Sequence, residues 1–118
     1  SNLHQKIMTQ NLGNFPSREQ NKENKNVIMR KAADSIKSNE YLKNWFGADG
    51  YFGTEYVTGI LKGAYFVTCD HWMSSLIYSV KVIRDDCIET LLNNEGDRVL
   101  TSLQEAKALI DTHVRGQL

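Results

Sequence analysis

Residues 64–83 read Ala64-Tyr65-Phe66-Val67-Thr68-Cys69-Asp70-His71-Trp72-Met73-Ser74-Ser75-Leu76-Ile77-Tyr78-Ser79-Val80-Lys81-Val82-Ile83. Tyr65 to Cys69 is aromatic and β-branched, and Leu76 to Ile83 is a longer run of the same kind. Trp72-Met73-Ser74-Ser75 predicts the turn between them. The second run is apolar on both parities of the strand period, which predicts a central strand with part of each face covered. Two strands joined by a short turn form a hairpin, and that hairpin decides the fold class.

Beyond it, Arg84-Asp85-Asp86 turns the chain and Cys87 to Leu92 is expected as a third strand. Asn93-Asn94-Glu95-Gly96-Asp97 is a turn signal, and Arg98 to Leu100 follows as a short fourth strand. Ser102 and Glu105 stand at the capping-box spacing, which starts a helix. Leu103, Ala106, Ile110 and Val114 then form its inner stripe, and Gly116 ends it.

Before the hairpin, residues 54–61 fit either a short helix capped by Thr54 or a strand. Gly47, Gly50 and Gly53 punctuate a loop that lacks the order of a phosphate-binding loop. Helical periodicity begins at Val27, where Ile28, Met29, Ala32, Ala33 and Ile36 make one stripe and Asn24 or Asn26 caps the start. Tyr41, Leu42, Trp45 and Phe46 resume the stripe after Ser38-Asn39, giving one kinked helix or two short ones that stop at Gly47. The fold class is therefore α+β: an N-terminal helix, kinked or broken, a three- to four-stranded antiparallel sheet and a C-terminal helix, with the helices expected on one sheet face.

Residues 1–26 are rich in amides and show no apolar period, so they are expected as a flexible polar tail, with residues 27–118 as the single α+β domain. The chain opens Ser1-Asn2 rather than with Met, and residues 1–7 are set aside as an expression scar or an uncertain start. The 118 residues and 13.5 kDa suit one domain. Leu, Ile, Val and Phe make up about a quarter of the chain, too much for wholesale disorder. No apolar run reaches the roughly 18 residues of a membrane span, and no signal-peptide core follows the N-terminus. Two cysteines, Cys69 and Cys87, are fewer than a small secreted scaffold carries, and a cytoplasmic protein is expected.

The order helix–strand–strand–strand–helix is similar to that of double-stranded-RNA-binding domains, which place lysines at the start of the last helix. Here that position reads Ser102-Leu103-Gln104-Glu105, with no positive charge before Lys107. The resemblance covers topology alone, and no membership follows.

Three groups of residues carry the functional expectations. Cys69-Asp70-His71 has the residue types of a nucleophile–base pair or a zinc site. In a strand Cys69 and His71 share a face that Asp70 does not, and no second pair stands at zinc spacing, so no metal and no cofactor are expected. Asp85, Asp86, Glu89, Glu95 and Asp97 read as a solvated acidic turn region. Residues 1–46 carry 8 Lys+Arg against 4 Asp+Glu, and residues 47–118 carry 6 against 10. The basic half places Arg30, Lys31, Lys37 and Lys43 among Tyr41 and Trp45, a pattern that nucleic-acid surfaces use. Zero net charge disfavours that reading.

Ten of the 11 aromatics fall between Tyr41 and Tyr78, more than a core of this size hides, so some should form a recognition surface. Trp45, Tyr51, Phe52, Trp72 and His71 are the binding candidates. The first expectation is a small non-enzymatic binding or accessory module, a homodimer or a protein partner's subunit, with no membrane contact. The alternatives are a nucleic-acid-associated regulator using the basic helix, and a small-molecule binder or small enzyme with a pocket near Cys69 and His71.

Overall fold

The computed structural model describes residues 16–36, 40–42, 54–85 and 87–116. Helix α1 spans Arg18–Ser35, followed by strands β1 (Tyr56–Val57), β2 (Tyr65–Trp72), β3 (Ser75–Ile83) and β4 (Ile88–Thr90), and by helix α2 (Leu103–Gly116). The strands make one antiparallel sheet in chain order. The chain is thus an α+β protein with an N-terminal helix, a four-stranded antiparallel sheet and a C-terminal helix, as its sequence leads one to expect.

The two helices lie on opposite faces rather than on one. Strand alternation puts Tyr65, Val67, Cys69, Tyr78, Val80 and Val82 on one face, packed with Ala106 and Ile110 of α2. Val57, Phe66, Ile83 and Ile88 point the other way, against Ile28 and Ala32 of α1. This is the demand of a central strand apolar on both parities: each face needs its own cover.

Helix α1 begins at Arg18, about two and a half turns before the apolar stripe at Val27. Residues 18–26, expected as tail, are helical. The Ser17 side chain accepts from the Gln20 N–H at 3.1 Å, which supplies the N-cap in place of Asn24 or Asn26. Ile36 takes an extended conformation at the other end, so α1 closes before the second helical stretch at 40–42. Ser38, Asn39 and the proposed stop at Gly47 lie outside the described residues.

Within the segment 54–61, Tyr56–Val57 form strand β1, which supplies the fourth strand of the sheet. Cys87 to Leu92 shortens to Ile88–Thr90. Arg98 to Leu100 contributes only a bridge, in which Leu100 exchanges backbone hydrogen bonds of 2.8 and 2.9 Å with Tyr78. The turn at 93–97 forms around Asn93, whose Oδ1 accepts from the N–H of Glu95 and of Asp97, with Gly96 at φ +82°. At α2 the Ser102 hydroxyl accepts from the Glu105 N–H at 3.1 Å, and the Glu105 carboxylate reaches back to Thr101.

Candidate functional site

Both edges of the sheet are closed by side chains. In β1 the outward backbone groups of Val57 meet α1: its N–H donates to Asn21 Oδ1 at 2.6 Å, and its carbonyl accepts from Asn24 Nδ2 at 2.7 Å. Asn21 Nδ2 also donates to the Glu55 carbonyl at 2.8 Å. Two asparagines one turn apart therefore act as a neighbouring strand would. On the far edge, Tyr41 from the 40–42 helical stretch donates to the Ile88 carbonyl at 2.8 Å and accepts from the Ile88 N–H at 3.2 Å. Strand addition to either edge would have to displace these bonds.

The β2–β3 hairpin is finished differently. β1 pairs with β2 up to Cys69, and Leu100 pairs with β3 at Tyr78. Beyond that level only the pairs Asp70–Ile77, His71–Leu76 and Trp72–Ser75 remain, a two-stranded ribbon that projects from the sheet. Such a ribbon buries little by itself. It ends in a two-residue turn, Met73-Ser74, with Met73 at φ +57°, a position that hairpin turns usually give to glycine or asparagine. Trp72 is 65% exposed and Met73 89% exposed, the largest apolar side chains so placed among the described residues. At the base of the ribbon the His71 imidazole donates through Nδ1 to the Glu55 carboxylate, joining the ribbon to the start of β1.

Behind Trp72 on the same face, Asp70 stands in the field of Lys25 from α1 and Lys81 from β3. Burial pushes the Asp70 carboxyl up, against a hydrogen bond from Thr54 that lowers it. Burial likewise lowers both lysines, and Asp70 opposes that shift. The Lys81 ammonium donates to Thr90 Oγ1 at 2.6 Å.

The structure separates the residues of the Cys69-Asp70-His71 motif. Cys69 is wholly buried between β1 and β3, and burial, with the charges of Glu55 and Asp70, pushes its thiol up to about 11 despite a Tyr78 hydrogen bond. Such a thiol keeps its proton at neutral pH and is a poor nucleophile. His71 lies on the same face but out on the exposed ribbon. Among the described residues no three His, Cys, Asp or Glu side chains gather closely enough to hold a metal ion. In the acidic turn region Glu89 accepts from Arg84 Nε at 2.7 Å on an exposed surface, and Asp86 lies outside the described residues.

Of the binding candidates, Trp72 and His71 are both on the ribbon but on its opposite faces. Trp45, Tyr51 and Phe52 lie outside the described residues. Of the basic candidates, Arg30 and Lys31 are exposed on α1, and Lys37 and Lys43 lie outside the described residues. Sequence reasoning passed over two members of the tip. Met73 was legible as a residue where a tight turn asks for glycine, and Glu55 becomes a partner of His71 only through the β1–β2 pairing. No helix of the described residues is long and apolar enough to cross a membrane.

The molecule is thus a helix-flanked antiparallel α+β domain with closed edges and one projecting apolar tip. The chain matches no protein-family model, no curated protein and no solved structure.

Proposed function

We propose that this protein is a non-enzymatic binding module that docks a protein surface with the β2–β3 tip, and that its first partner is a second copy of itself. The observation that carries the reading is the exposure of Trp72 and Met73 side by side at the end of a ribbon that, among the described residues, extends past its strand neighbours on both sides. Tryptophan supplies large, rigid, amphipathic contact area and dominates interface energetics where it is found. The closed edges direct association to the tip, because strand addition would first have to break the Asn21, Asn24 or Tyr41 bonds. Zero net charge leaves little long-range repulsion between copies. Cys69 and Cys87 form no disulfide with each other, which suits a reducing compartment such as the cytoplasm.

Sedimentation equilibrium across micromolar concentrations tests the reading. Wild-type protein should dimerise reversibly, and Trp72→Ala should cost about 2 kcal/mol or more of association energy. A monomer at every concentration would remove the homodimer, and a dimer indifferent to Trp72→Ala would move the interface off the tip.

A further inference from the structure

Away from the tip, α2 and the turn between β1 and β2 enclose an open groove of about 770 Å³. Ile60, Leu61 and Leu103 supply its accessible apolar surface, Val67 and Ile110 lie buried beneath them, and Thr58 and Gln104 add polar groups. Its volume falls in the range of small-molecule sites, roughly 300–1,000 Å³. Lys62 from the turn and Lys107 from α2 line it, against a single carboxylate, Asp111.

Lys62 stands out for its backbone. It holds φ +50° directly before Gly63 at φ +85°, in a turn closed by hydrogen bonds from the Ala64 and Tyr65 N–H groups to the Leu61 carbonyl. Turns of this kind favour Asn, Asp or Gly at such a position, and a lysine there is strained. The turn places Lys62 in the wall of the groove. Lys107 is a second lysine in that wall, one helical turn before Asp111.

We propose that this groove binds a small amphipathic anion, an unbranched alkyl chain ending in a carboxylate, with the chain on Ile60, Leu61 and Leu103 and the head group between Lys62 and Lys107. The apolar surface selects the chain, and the excess of ammonium over carboxylate selects the sign of the head. The site is independent of the tip, so Trp72→Ala leaves it intact.

Calorimetric titration with decanoate, below its micelle concentration, tests the proposal, with decyltrimethylammonium as the cationic control. Decanoate should bind one per chain with a Kd of about 1 mM or tighter, the ordinary yield for a ligand of its size. Decyltrimethylammonium should not bind. Lys62→Gly keeps the positive φ without strain, so it folds at least as well as wild type, and it should weaken decanoate about tenfold, as should Lys107→Gln. No decanoate binding, equal binding of the cation, or unchanged affinity in both variants would overturn the site. Sedimentation with and without decanoate completes the test: binding that requires dissociation of a dimer would make the groove a self-association surface and overturn the proposal.

Discussion

The β1 edge and the β2–β3 tip both bring strand backbone to the limit of the sheet, and they are finished in opposite ways. At β1 a helix lies alongside, and its asparagines take up every outward polar group of Val57. At the tip no strand of the described residues pairs alongside, and the ribbon ends in a tryptophan and a strained methionine that are largely exposed. A protein that closes both of its strand edges with specific hydrogen bonds and leaves apolar surface on its one projecting ribbon separates protection from recognition. Edges are dangerous because any strand fits them. A tip is selective because only a surface with a matching pocket gains from covering it.

The sharpest way to break the contrast is to open the protected side. Asn21 is 8% exposed and serves two backbone groups of the β1 segment. Asn21→Ala leaves the Val57 N–H and the Glu55 carbonyl without their partner in a largely buried place, and it should cost about 2–4 kcal/mol. Urea denaturation checks the value. Light scattering checks a second outcome: the opened edge should increase aggregation, which an interior packing defect alone would not direct to strand pairing. A loss below about 0.5 kcal/mol would mean that β1 is held by its pairing to β2 and not by α1.

The opposite edge gives a smaller effect. Tyr41→Phe keeps the ring and removes one hydroxyl that both donates to and accepts from Ile88. The expected loss is about 1–2 kcal/mol, or several degrees of melting temperature for a domain of this size. A neutral outcome would leave the β4 edge protected by β4's shortness alone, and the symmetry between the two edges would be lost.

The same contrast explains what could be read from the sequence. The hairpin was legible from its aromatic and β-branched runs on either side of a short turn, and α2 from its apolar period and its cap at the expected spacing. The first half of α1 was not, because it is held by amide hydrogen bonds to a strand distant in sequence rather than by a hydrophobic stripe. Residues 18–26 therefore look like tail to any argument from apolar burial. The available signal was local: Pro16-Ser17 followed by Gln20 has the spacing of a capped helix start. Tyr56-Val57 was ambiguous because two residues cannot show a period, and its partners on both sides decide its conformation. Trp72 emerged from the excess of aromatics, whereas Lys62 and Lys107 meet at one groove only after α2 packs on the sheet.

The smallest effect expected is also the one with the most informative sign. Met73 holds φ +57° at the head of the hairpin turn. A left-handed conformation costs an ordinary residue about 1–2 kcal/mol, and glycine escapes it at the expense of a more flexible unfolded chain. Met73→Gly should therefore stabilise the fold by about 0.5–1 kcal/mol, raising the melting temperature by a few degrees. The same change removes an 89% exposed thioether from beside Trp72, so association through the tip should weaken. Calorimetry and sedimentation equilibrium on one variant would read the two effects separately. Higher stability with weaker association means that the strained methionine is kept for the partner it contacts. Higher stability with unchanged association leaves recognition to Trp72 alone, and no gain in stability would show that the turn adapts to methionine without strain.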